Sequence, residues 1–141
     1  MKNSIFIELG GNGAQFGGLV YGTVSIFYDR IVLSSEFMKA SVRIGGTIPR
    51  HEAYQAFPLL FNVLFGRNNF FFETGLGCEL LYVRPNYNIA YGAFTSAIGL
   101  RYQNPKGLIA RIAITPTIAN KNRDPFYYVG ALIGISLGYS F

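Results

Sequence analysis

The sequence predicts an all-β chain, an eight-stranded antiparallel up-and-down transmembrane β-barrel in a single domain over residues 1–141. Three observations carry that expectation. Half of the residues are hydrophobic and only 13% are charged, against about 25% charged in soluble domains, and the mean hydropathy is positive, +0.28. The apolar residues nevertheless form no run of the roughly 18 or more needed for a spanning helix. Two long uncharged stretches, Pro85 to Leu100 and Pro125 to Phe141, carry proline, glycine and polar residues. Apolar side chains instead alternate with polar or small ones at period two, the mark of a strand with two unlike faces. A hydrophobic chain without spanning helices has one other way to satisfy its backbone in lipid, a closed barrel.

Taken in order, the alternation defines eight strands. Residues 4–10 put Ile5, Ile7 and Leu9 outside and Phe6 and Glu8 inside. Residues 20–30 put Val24, Ile26 and Tyr28 outside, with Thr23, Ser25, Phe27 and Asp29 inside. Residues 39–48 put Val42, Ile44 and Ile48 outside, against Ser41, Arg43, Gly45 and Thr47. Residues 57–65 set Leu59, Phe61, Val63 and Phe65 against Leu60, Asn62 and Leu64, a weakly polar inner face. The clearest case is 70–82, where Phe72, Thr74, Leu76, Cys78 and Leu80 oppose Glu73, Gly75, Gly77 and Glu79. Two glutamates and two glycines on one face of an aromatic-rich strand suit a narrow polar lumen. Residues 91–103 set Phe94, Ile98, Leu100 and Tyr102 against Thr95, Ala97, Gly99, Arg101 and Gln103. Residues 108–118 set Ile112 and Ile114 against Arg111, Ala113 and Thr115. Residues 128–141 set Ile133, Ile135, Leu137, Tyr139 and Phe141 against Gly130, Gly134, Ser136, Gly138 and Ser140. The 17 glycines and the 13 Phe and 10 Tyr residues also favour strands, and Tyr takes the interfacial level that the absent Trp would occupy.

The connections alternate as well. GRNN (66–69) and NPKG (104–107) read as tight turns, and the link around Ile31–Phe37 is the least defined. GNGAQFGG, PRHEAYQA, VRPNYNIA and NKNRDPF read as longer or irregular connections at the opposite end. With both termini periplasmic, this gives short turns on one side and longer extracellular loops on the other. The chain begins MKNSIFIELGG and has no secretory h-region. Export requires such a segment, so the sequence is read as a mature form with a replaced initiator Met.

The net charge of +5 is scattered, with no Lys/Arg-rich run. No nucleic-acid partner is expected, and anionic lipid head groups account for the same balance. Cys78 is the only cysteine, which excludes an internal disulfide; its phase points it outward. The inward charges form the most informative set: Glu8, Asp29, Glu73 and Glu79 against Arg43, Arg101 and Arg111. Buried unpaired charges would each cost several kcal/mol, so an ion-pair network closing the lumen is expected, with a polar ligand site or a gated ion path as the alternative. His51 and Glu52 in one loop, with Ser34 and Ser35 at the other end, do not assemble a nucleophile and an oriented base. No His/Cys spacing for a metal exists. No catalytic residue, metal or cofactor is expected. Tyr54, Tyr82, Tyr87, Tyr91, Tyr127 and Tyr128 form an interfacial girdle near the long-loop end. Arg50, Arg84, Lys121 and Arg123 at that end are candidate contacts to lipopolysaccharide phosphates.

The segments VSIFYDR (24–30), FPLLFNVLFG (57–66), FETGLG (72–77), GLRYQ (99–103) and GISLGYSF (134–141) resemble small Bacteroidetes-type outer-membrane β-barrel proteins. The resemblance covers nearly the whole chain. It implies a bacterial outer-membrane location, lipids and lipopolysaccharide as surroundings, and a C-terminal Leu137, Tyr139 and Phe141 pattern similar to the signal read by the outer-membrane insertion machinery. The expected role is non-enzymatic: a structural barrel or an accessory subunit of a larger outer-membrane complex. The alternatives are a ligand-binding or narrow-channel barrel, an outer-leaflet lipid-modifying enzyme, and a soluble lipocalin-like carrier whose apolar residues would point inward.

Overall fold

The computed structural model describes residues 2–11, 24–48, 54–83, 89–121 and 124–141. Within them the alternation becomes eight strands: β1 (Asn3–Gly10), β2 (Val24–Ser34), β3 (Met38–Ile48), β4 (Tyr54–Arg67), β5 (Phe70–Val83), β6 (Ile89–Gln103), β7 (Leu108–Lys121) and β8 (Asp124–Ser140). Each pairs antiparallel with its neighbour in sequence, and β1 closes on β8 to complete the barrel. Across the closing seam Ile5, Ile7 and Leu9 lie opposite Tyr139, Leu137 and Ile135. Register is fixed by the faces, because a one-residue slip would turn every apolar side chain into the lumen.

The faces are those expected. Ile7, Ile26, Ile44, Phe61, Leu76, Phe94, Ile114 and Ile133 are exposed on the outer wall, whereas Glu8, Asp29, Arg43, Glu73, Arg101 and Arg111 are buried inside. This phase excludes the lipocalin-like carrier, which would need the apolar faces inside and the charges out. Phe94, 77% exposed, and Leu76, 74% exposed, lie on an outer wall that only an apolar surrounding would cover favourably.

The connections at the end bearing both termini are all short. Ser35–Phe37 joins β2 to β3, where the Ser35 amide donates to the Met38 carbonyl at 2.7 Å and the Met38 amide donates to Ser35 Oγ at 3.2 Å. The uncertain link is therefore a tight turn, and β2 runs on to Ser34 past a register shift between Ile31 and Leu33. Asn68, at φ 59°, forms the β4–β5 turn with Asn69. Asn104 caps the β6–β7 turn by accepting from the Leu108 amide at 2.9 Å.

One connection is corrected. NKNRDPF was expected as an irregular loop between strands ending at 118 and beginning at 128. Instead β7 continues to Lys121 and β8 begins at Asp124, the two residues facing each other beyond a register shift after Ala119. The sequence loses its apolar–polar alternation there, so the pattern ceases to report a strand that backbone pairing still extends. Most of GNGAQFGG, together with His51 and Glu52, lies outside the described residues, as does Thr23.

Inward glycines make room for the lumen contents. A Cβ on Gly45 would strike the Phe27 ring, 2.6 Å from Cε1, and that ring stacks on Phe6 with centroids 5.3 Å apart. Gly45→Val is expected to destabilise the barrel by about 1–3 kcal/mol, the usual cost of overpacking. Gly46→Val, facing out with Phe57 3.8 Å away at its nearest, should cost less. Urea midpoints of the two detergent-folded variants check the difference.

Candidate functional site: a charged stopper in the lumen

Strand pairing alone sets up a problem that the side chains solve. Arg101 and Arg111 lie directly opposite one another on β6 and β7, an arrangement that repels. Asp29 lies opposite Arg43 on β2 and β3, and Glu73 projects from β5. The lumen is narrow enough for all of them to meet.

Glu73 is the hub and is fully buried. Arg43 donates to both of its oxygens, Nη1 to Oε1 at 2.8 Å and Nη2 to Oε2 at 2.9 Å, the forked geometry that makes such pairs strong. Arg111 Nε donates to Glu73 Oε1 at 2.8 Å, and Arg101 Nη1 lies 3.8 Å from Oε2. Asp29 accepts from Arg101 and from Arg43 Nη2 at 3.3 Å. Glu8 accepts from Arg111 and from Ser136 Oγ at 2.9 Å. Ser4 Oγ accepts from Arg101 Nη2 at 3.2 Å, and the Arg43 guanidinium lies 4.9 Å from the Phe6 ring centre. Three arginines and three carboxylates thus neutralise one another. The interstice among Phe27, Leu60, Ala97 and the Arg43 and Arg111 head groups has no room for a water molecule. Phe71 and Ile109, also buried, face the lumen nearer the terminal end.

Glu79 is the correction. It points into the lumen and is 2% exposed, yet it joins no ion pair among the described residues. Thr117 Oγ1 donates to its Oε2 at 3.4 Å, and among the described residues Oε1 has no hydrogen-bond partner. The cause is depth. Glu79 lies six residues along β5 from Glu73, roughly 20 Å at strand rise, on the same face but beyond the arginines' reach. Alternation reports face, not height. Ser4 and Ser136 hold Arg101 and Glu8; their inward phase is readable in the sequence, but their role as ligands is not.

The remaining predicted residues are dispersed. Leu137, Tyr139 and Phe141 are exposed on the outer wall, and Phe141 exchanges backbone hydrogen bonds of 2.8 and 3.0 Å with Asn3. Arg50, Arg84 and Arg123 lie outside the described residues; Lys121 ends β7. Among the tyrosines, Tyr87 lies outside the described residues, Tyr82 is half-buried, and Tyr54, Tyr91, Tyr127 and Tyr128 fall within strands toward the long-loop end. Ser34 and Ser35 are exposed at the terminal end and Cys78 is exposed on the outer wall. At the terminal rim Arg67 and Glu36 form an ion pair at 2.6 Å, open to solvent and therefore of little energetic weight.

A closed up-and-down barrel with an apolar exterior and a polar, side-chain-filled interior has the architecture of the outer-membrane barrels. The chain is similar in fold to the N-terminal β-barrel domain of Pseudomonas aeruginosa OprF, with a TM-score of 0.69 and 12% identity over 99% of this chain and 98% of that one. No family model and no curated protein matches the chain.

Proposed function

We propose that the protein is an integral outer-membrane barrel of a Gram-negative envelope, of the small Bacteroidetes type, acting as a non-enzymatic structural or accessory subunit of a larger outer-membrane complex. The single observation that carries this reading is the neutral stopper around Glu73, which fills the lumen where a pore would have to run. The apolar outer wall supports the membrane location, and the outward Leu137, Tyr139 and Phe141 support delivery by the outer-membrane insertion machinery. Lipids and lipopolysaccharide are then the immediate surroundings.

The test is electrical. The purified barrel in planar bilayers is expected to give no steady single-channel current. Persistent currents from the unmodified chain would overturn the sealed-lumen reading in favour of a narrow channel.

A further inference from the structure

We infer that the mouth of the lumen at the terminal end is a binding site for the carboxyl terminus of a peptide. Its carboxylate pairs with Lys39, and its backbone amides meet the carboxamides around that lysine. The membrane reading above enters only in placing this mouth at the aqueous edge of the bilayer.

The inner face turns from charged pairs to amides at this end. Lys39 precedes Arg43 by four residues on the inward face of β3, and Gln103 follows Arg101 by two on that of β6. The β4–β5 turn adds Asn68 and Asn69, and the β6–β7 turn adds Asn104 and Pro105. These six residues line an open cavity of about 380 Å³. Lys39 is half-buried, and its Nζ lies 4.3 Å from the ring centre of buried Phe71. A lysine on a barrel rim can stretch its ammonium into water; this one keeps the charge inside the mouth.

Backbone hydrogen bonds hold the rim in place. The Gly66 amide donates to the Phe37 carbonyl at 3.1 Å, the Gln103 amide to the Asn69 carbonyl at 2.8 Å, and the Ser140 amide to the Gly107 carbonyl at 2.7 Å. Each of the three turns is thereby tied to a neighbouring strand, and a site built beforehand loses less freedom on binding.

The charge selects the sign of the ligand. Among the described residues lining the cavity, Lys39 is the charged one. An aromatic ring attracts an ammonium without cancelling its charge. The stopper behind it is neutral as a set, three arginines against three carboxylates, and offers no net counter-charge. An anion is therefore favoured. The carboxamides select its stem, because each carries both a donor and an acceptor, the complement of a peptide amide. Two of them are fixed from behind: Gln103 Nε2 donates to Ser140 Oγ at 3.0 Å, and Asn104 Oδ1 accepts from the Leu108 amide at 2.9 Å.

The experiment is an NMR titration of the barrel in neutral maltoside micelles with acetyl-diglycine, its neutral C-terminal amide, or acetate. The amides of Lys39, Asn69 and Gln103 report the mouth, and that of Thr95 reports the far half of the lumen. Acetyl-diglycine is expected to give saturable shifts at the first three and none at Thr95. The neutral amide and acetate should each bind about tenfold more weakly or worse, the worth of a charge-assisted hydrogen bond. Lys39→Met should weaken acetyl-diglycine by about tenfold, and Asn69→Ala should weaken it to a smaller extent. Lys106→Met, which removes an exposed lysine from the neighbouring turn, should leave it unchanged. Equal binding of the neutral amide, or of acetyl-diglycine to Lys39→Met, would overturn the carboxylate pairing. Acetate binding as tightly as acetyl-diglycine would overturn recognition of a peptide. Heat-modifiable gel mobility of the same samples reports the detergent-folded barrel separately, so its absence would count against the membrane reading and not against the site.

Discussion

Glu73→Gln is expected to cost the folded barrel about 3–5 kcal/mol, the penalty for removing one partner of a buried ion pair. The substitution keeps the side-chain volume and removes the charge that receives Arg43 twice and Arg111 once. Arg101 and Arg111, opposite each other in the ladder, would keep only Asp29 and Glu8. Glu79→Gln makes the same chemical change on the same strand and should be neutral or slightly stabilising, because no cation among the described residues is left behind. Urea titration of the detergent-folded barrel, read by heat-modifiable mobility, checks the pair. Adding Arg43→Met to Glu73→Gln should recover part of the loss, since it removes one of the buried cations left without its counter-charge. A loss below about 1 kcal/mol for Glu73→Gln, the scale of an exposed pair, would mean that the stopper does not hold the barrel together.

Ile114→Arg should have an effect of similar size for the opposite reason. Ile114 lies on the outer wall between Ile98 and Ile133, near the middle of β7, and is 47% exposed. An arginine on the lipid face of a barrel costs about 2–4 kcal/mol at the bilayer midplane and about 0–1 near the interface. Leu108→Arg, at the terminal end of the same strand, should therefore be mild. In a water-soluble protein the order would vanish, because an exposed substitution far from special features stays within about 0.5 kcal/mol. Refolding both variants into lipid vesicles at graded urea concentrations distinguishes the cases.

The faces of all eight strands were legible in the sequence because a barrel wall separates two solvents, and each step of two residues repeats the same choice. Strand ends were less legible. Lys121 and Asp124 remain paired where the sequence no longer alternates, and the register shift between Ile31 and Leu33 breaks the period at the point where β2 continues. The six members of the stopper were identifiable as inward charges, but their partnership was not. Which arginine reaches which acid depends on the stagger of the strands around the barrel, and that stagger separated Glu79 from residues that share its face. Pro58 was visible in the sequence, yet only the register shows that the β3–β4 pairing of the described residues ends beside it, at Ile44 opposite Leu59.

The stopper also sets the order in which the chain can fold. Its contacts join residues 72, 103 and 128 positions apart, Arg101 to Asp29, Arg111 to Glu8 and Ser136 to Glu8. Hairpins formed early hold charges whose partners have not yet arrived, and β1 has no second neighbour until β8 reaches it. Such distant pairings are slow to form. Barrel closure is therefore late in folding, and a chain stopped before β8 would carry an open edge and leave Glu8 without the hydroxyl of Ser136.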